Sequence, residues 1–294
     1  MNYKTIYAGI LRSITICFGI DTAKKLDVML RFHRKVNLKN PTTLADKVSY
    51  IELHSQSELA SQCTDKYSVR TYVKRKGLEH ILVPVVGGPW NYYEEIDFDS
   101  LPKRFVLKAT HGCKMNFMVP DKETMNKEKC KKEIKRWLKT TYGAYSMEPH
   151  YTKIPHRIYA EKFLGQMDRL IDYKFHCMNG IPQFVLVITD RHANGDRAMQ
   201  ATLDLFDMEW NPVYEVIGAN REKAGSGNIK KPVHFDEMVE ISKKLSVDFR
   251  FVRVDLYELD GHVMFSELTF SPACCVFPYL SEKYIAEMGD TLTL

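Results

Sequence analysis

The chain has 294 residues, 45% of them hydrophobic and 12% aromatic, and its 42 lysines and arginines against 37 acids leave a net charge of +5. That composition excludes a disordered chain and supplies apolar surface for one large domain or two modest ones. The mild positive balance favours anionic partners such as nucleotides, acidic sugars or a membrane face, and no run of cations interleaved with aromatics marks a nucleic-acid groove. The seven cysteines, from Cys17 to Cys275, form no CxxC pair and leave one odd thiol, which points to reduced sulfurs and a cytoplasmic address.

The predicted elements start as helices. Residues 6–20 are apolar but interrupted by Arg12, too short to span a bilayer, and lack a convincing small-residue cleavage site. They read as a helix packing its apolar face on the body or a partner, with peripheral membrane contact as the alternative. Residues 21–36 place Leu26, Met29 and Leu30 on one helical face. Asn40-Pro41-Thr42-Thr43 breaks the chain, and Thr43 offers an N-cap for a helix over residues 44–53. Another amphipathic helix is predicted over 65–75, closed by Lys76-Gly77.

Strands follow: 81–86, then 105–109, then 117–119 after the turn His111-Gly112-Cys113-Lys114-Met115-Asn116. A charged helix is predicted over 122–142 and a strand over 157–164. Strands 173–177 and 183–189 form a hairpin around Asn179-Gly180, the strongest short hairpin signal. A strand over 203–207 and a helix over 235–247 precede a closing hairpin, 251–257 and 263–270, joined through Asp260-Gly261. Helices lead and antiparallel hairpins dominate the second half, so the class is α+β.

The closing hairpin carries acids where a sheet normally hides hydrophobes. Alternation puts Arg253, Asp255 and Tyr257 on one face, and likewise Phe265, Glu267 and Thr269. Two carboxylates among apolar neighbours need a neutralising cation. Mg²⁺, which commonly joins one or two carboxylates to nucleotide phosphates, suits them, while an ion pair with Arg253 is the plain structural alternative. Lys108 ends an apolar strand beside Gly112, where a lysine and backbone N–H groups can meet phosphate oxygens. Glu161 and Lys162, Asp172 and Lys174, and Arg191 repeat the pattern of charges on apolar strands. Such a set is what a nucleotide held between two small sheets requires.

In order and wording these motifs resemble the TupA-like (teichuronopeptide-biosynthesis) branch of the ATP-grasp superfamily. The resemblance runs through Asn40-Pro41-Thr42-Thr43, Asp65-Lys66-Tyr67-Ser68-Val69-Arg70, the segment from Leu101 to Lys108, Asp172-Tyr173-Lys174-Phe175, Asp190-Arg191, Arg253 to Tyr257 and Phe265 to Phe270. It implies an ATP-grasp fold, two small α+β subdomains clasping ATP, preceded by a short helical segment: residues 1–78, then 79–165 with the phosphate loop, then 166–294 with the metal site. By the resemblance, Lys66 and Lys108 touch nucleotide phosphates, and residues 111–116, with His111, Gly112 and Lys114, cover them. Glu161, Lys162 and Leu164 line adenine, and Asp172 or Lys174 lies near ribose or phosphates. Arg191 and Arg253 face the transferred phosphoryl group or the acceptor carboxylate, and Asp255, Glu267 and Thr269 hold Mg²⁺.

The activity implied is amide formation from a carboxylate and an amine through an acyl phosphate, with a uronic acid of a bacterial capsule or other surface polysaccharide as the carboxylate and an amino acid or amino alcohol as the amine. Its setting is cytoplasmic, including the inner face of the membrane. Two departures stand out: Cys113-Lys114 where relatives carry more glycine, and Pro272-Ala273-Cys274-Cys275 where a glycine-bearing turn is usual. The rival readings are a glycosyltransferase, for which Asp97-Phe98-Asp99 is formally a DxD, and a non-catalytic module. The amine, the form of the sugar and the oligomeric state are not legible in the residues.

Overall fold

Loop residues that must take positive φ set the two best-defined hairpins. Asn179 (φ 52°) with Gly180 (φ 79°), and Asp260 (φ 51°) with Gly261 (φ 75°), form two-residue turns whose backbone twist matches the right-handed twist of the strands they join. The computed structural model describes residues 3–143, 147–165, 170–190, 201–217 and 222–294. The chain divides into two units, residues 1–56 with 166–294, and residues 57–165. The helices of the first 78 residues are thus shared between both units. No helix among the described residues is long and apolar enough to cross a membrane.

The first unit opens with α1 (Tyr3–Phe18), α2 (Ile20–Phe32) and α3 (Leu44–His54). Thr43 caps α3 as predicted: its hydroxyl accepts from Asp46 N, and the Asp46 side chain accepts from Thr43 N, a reciprocal box.

The second unit starts at α4 (Glu58–Thr64) and α5 (Val69–Arg75). The helix predicted over 65–75 is shorter because the Asp65 carboxylate accepts from Tyr67 N and Ser68 N, turning the chain before α5 begins. A sheet of β1 (Val85–Trp90), β2 (Phe105–Ala109) and β3 (Asn116–Val119) follows, with α6 (Lys127–Leu138) and β4 (Ile158–Lys162), in the order β1-β4-β2-β3. The first strand lies later than predicted: pairing of Val85 with Glu161 and Trp90 with Ile158 places it there, and Ile81 and Leu82 are buried outside the sheet. The charged helix is also shorter, because Asn126 accepts from Lys129 N and starts α6 anew after a 3₁₀ turn at Lys122–Thr124. Phe105, Leu107, Ile134, Trp137 and Ile158 form this unit's core.

The first unit resumes with β5 (Asp172–Met178), β6 (Ile181–Thr189), β7 (Ala201–Phe206), β8 (Glu222–Ala224), α7 (Phe235–Ser246), β9 (Phe251–Leu259), β10 (His262–Thr269) and α8 (Glu282–Thr291). Its six strands run β10-β9-β5-β6-β7-β8, antiparallel except β7 with β8. On one face Phe175, Val252, Val254 and Leu256 are buried, with the Phe175 ring 5.8 Å from that of Phe235 on α7. On the other, Phe184, Leu186, Leu205 and Phe251 pack in one cluster with Leu44, Val48 and Ile51 of α3 and Ile285 of α8. Register puts Asp172, Lys174 and Asp255 on that second face, beyond the apolar cover. The sheet's own pairing therefore creates a polar strip beside a hydrophobic layer.

Candidate functional site

The polar strip centres on Asp255, buried to 1% exposure. Arg253 grips it bidentately, Nε donating to Oδ1 at 2.6 Å and Nη2 to Oδ2 at 2.7 Å. Lys174, directly opposite on β5 and itself buried, donates to Oδ2 as well. Arg253 Nη2 also donates to Thr269 Oγ1 at 3.1 Å and lies 3.7 Å from Glu267 Oε1, and the Thr269 hydroxyl donates to Glu267 at 3.4 Å. Burial disfavours the Arg253 charge, but Asp255 and Glu267 outweigh it and raise its pKa. The adjacent His176 is held well below the ordinary histidine range, first by burial and then by the Arg253 charge. It stacks on Phe184 and acts as neutral packing beneath the strip. Burial, followed by the charge of Asp172, pushes the Tyr257 phenol up, and Ser266 Oγ donates to that phenol at 3.1 Å.

A bulge assembles the acids. Thr269 opposes Arg253 and Glu267 opposes Asp255, but the register shifts between Phe265 and Glu267, so that Phe265 opposes Leu256. Simple alternation would put Phe265 with Glu267. The extra residue, Ser266, instead sends Phe265 into the core and leaves the carboxylates paired. Asp255, Glu267 and Thr269 offer only hard oxygens, and two carboxylates plus substrate oxygens is a common Mg²⁺ shell, so the residues present fit that ion. No group of three or more His, Cys, Asp and Glu that could hold a metal occurs among the described residues, so a metal here would draw further ligands from substrate or water.

In residues 57–165 a second charged cluster forms around Glu161, 6% exposed. Lys108 Nζ lies 2.5 Å from Glu161 Oε2 and Arg70 Nη1 3.6 Å from Oε1, while the Tyr159 hydroxyl donates to Oε1 at 3.2 Å. Burial and the Glu161 charge raise the Tyr159 pKa well above its ordinary value. Lys66 is tied in by its backbone, its N–H donating to Thr110 O at 3.2 Å and its carbonyl 3.3 Å from the Tyr159 hydroxyl. Lys162, next along β4, is exposed, and Leu164 half-buried. Arg70 and Tyr159 join this cluster without having been singled out by their chemistry; the only trace in the sequence is Arg70 within a helix and Tyr159 two residues before Glu161.

The glycine turn departs from expectation at one side chain. His111 faces inward: it is 1% exposed, stacks on His156 at 3.9 Å, and its Nε2–H donates to Trp137 O at 2.9 Å. Burial, aided by His156, holds its pKa down to about 4. Its imidazole is therefore part of the core, and from this turn the backbone and the Lys114 side chain remain to address a ligand. Lys114 sits at φ 59°, a left-handed conformation, and a Cβ on Gly112 would fall 2.8 Å from Met115 Sδ. Arg191 lies outside the described residues. Asp97 is a turn residue rather than half of a metal motif, since its Oδ1 accepts from Asp99 N and Ser100 N.

The chain matches the TupA-like ATPgrasp family over residues 46–293. It belongs to that family. Solved structures similar to this ATP-grasp chain include D-alanyl-alanine synthetase A from Vibrio cholerae (11% identity, TM-score 0.47, covering 83% of this chain and 68% of that one). Another is a D-alanine–D-alanine ligase from Helicobacter pylori (15%, 0.45, 88% and 72%). A third is an L-amino acid ligase from Bacillus licheniformis (11%, 0.41, 89% and 51%). No curated protein matches the chain.

Proposed function

We propose that this chain is an ATP- and Mg²⁺-dependent carboxylate–amine ligase acting on a uronic acid of a bacterial surface polysaccharide or its precursor, with an amino acid or amino alcohol as the amine. The observation that carries the reading is the bulge-set pairing of Asp255 with Glu267 in a chain of this family. In the reaction, a carboxylate oxygen attacks the γ-phosphorus and ADP leaves; the amine nitrogen then attacks the acyl carbon and phosphate leaves. The residues supply positioning and charge. Asp255, Glu267 and Thr269 would hold Mg²⁺, which supplies charge neutralisation at the phosphates. Lys66, Lys108 and Lys114 are the phosphate cations, Glu161, Lys162 and Leu164 the adenine segment, Asp172 and Lys174 the ribose or phosphate neighbours, and Arg191 and Arg253 the groups facing the transferred phosphoryl.

Lys174 and Arg253 both pair with Asp255, so Mg²⁺ at this carboxylate requires at least one of them to turn toward the phosphates instead. Release of ADP and phosphate that requires both a uronate and an amine is the expected result. Turnover that persists in Asp255→Asn and Glu267→Gln would overturn the proposal. The same pairing favours a second reading, a nucleotide-binding module that recruits no metal. Its signature is a thermal shift with ATP that is indifferent to Mg²⁺.

A further inference from the structure

A cavity of about 490 Å³ in the first unit belongs to neither charged cluster and includes no residue of the Asp255 strip. It opens where α2, α3 and α8 meet the segment after β10, and its size is that of small-molecule sites, ~300–1,000 Å³. Its apolar lining includes Val28, Val36, Val276 and Ile285, all buried, and Met29, 38% exposed, lies at its edge.

Two features of the cavity point to a ligand. Ser49 lines it at 1% exposure with a buried hydroxyl oxygen that has no hydrogen-bond partner, an arrangement that a ligand atom would relieve. The charge is also unbalanced, with Lys25, Arg34 and Lys35 against Asp46 and Glu282, three cations to two acids. Asp46 is occupied by the backbone N–H groups of Asn37 and Thr43. Arg34 pairs with Glu282 at 2.9 Å and donates to the carbonyls of Val276, Phe277 and Leu280. Lys25 and Lys35, both exposed, carry the excess charge, and neither pairs with an acid among the described residues.

We infer that this cavity is a second ligand site, for an anionic amphiphile: an apolar chain held by the valine and isoleucine walls, an oxygen within reach of Ser49, and a carboxylate or phosphate at Lys25 and Lys35. A free metabolite and a lipid headgroup with its chain share that chemistry. The inference stands independently of the ligase reading.

Calorimetric titration of the full chain with decanoate, decyl phosphate, 10-hydroxydecanoate and inorganic phosphate tests it, each amphiphile kept below its micelle concentration. One saturable site for the amphiphiles is expected, with none for phosphate alone. Lys25→Ala with Lys35→Ala should weaken all three amphiphiles about tenfold, while Met29→Trp, filling the cavity from its edge, should abolish binding. Ser49→Ala should remove any preference for the hydroxylated chain, and unchanged thermal unfolding in these variants separates loss of binding from loss of fold. Binding that survives Met29→Trp, or equal binding of inorganic phosphate, overturns the site. Phosphatidylglycerol vesicles distinguish the sources: lipid extraction into the wild type but not Met29→Trp assigns the chain to a lipid. Flotation without any monomer binding replaces the cavity by a membrane-binding face.

Discussion

Asp255→Asn is the sharpest perturbation of the polar strip, because its carboxylate takes bonds from both Lys174 and Arg253. The Asp255 and Lys174 side chains are 1% and 6% exposed, so neither cation gains much compensation from water when the carboxylate goes. Breaking a buried pair by removing one partner costs about 3–5 kcal/mol, and here Lys174 and Arg253 both lose that partner, Arg253 keeping Glu267 at 3.7 Å. For a unit of this size that corresponds to a loss of about 6–20 °C in the unfolding midpoint. Glu267→Gln is the internal comparison. Its side chain is 29% exposed and its oxygen 3.7 Å from Arg253, so its loss should cost ~1 kcal/mol or less. The assay is urea and thermal unfolding of the metal-free chain at neutral pH, followed by far-UV circular dichroism. If Asp255→Asn costs less than ~1 kcal/mol and matches Glu267→Gln, the three-residue clamp is not formed and the metal-exchange reasoning fails.

Three further outcomes follow from packing and titration. In Gly289→Ala the new Cβ would lie 2.3 Å from Thr42 O and 2.8 Å from Thr43 Cα, both backbone, so α8 must shift; a loss of ~1–3 kcal/mol should lower the urea midpoint. Thr43→Ala removes the acceptor for Asp46 N and should cost ~1 kcal/mol by the same measurement. His111 is held at about 4 in the folded chain against ~6.5 unfolded. Between those values the unfolded chain binds a proton that the folded one does not. Stability attributable to His111 is thus present above pH ~6.5 and falls as the pH drops toward 4, by up to ~3 kcal/mol. His111→Phe should flatten that part of the stability–pH curve, which unfolding at a series of pH values from 7 to 4.5 would reveal; an unchanged slope would place the imidazole in water.

Much of the candidate site was legible because its signals are short-range. Asp255 and Glu267 stood out as acids within apolar runs, and Asp260-Gly261 placed their strands side by side. What escaped was every feature that depends on a partner distant in sequence. Nothing near Glu161 announces that Arg70, on a helix 91 positions earlier, approaches its carboxylate. His111 read as a loop residue because its stacking partner His156 and its acceptor Trp137 arrive from other elements. The bulge at Ser266 was hidden for a related reason. Alternation predicts faces only while the ladder is regular, and the shift is fixed by pairing with β9.

By itself the sequence determined the α+β class, the two-residue hairpins, the Thr43 cap and the strand Phe105–Ala109, since each follows from backbone geometry and side-chain chemistry within a few residues. The tertiary structure alone decided that residues 1–56 join the six-stranded sheet's unit, which acids meet which cations, and that a buried hydroxyl lines a cavity between α2, α3 and α8. Those outcomes depend on burial and on charges brought close by chain-distant packing, and a desolvated ion pair or an unpartnered hydroxyl has no counterpart in local sequence.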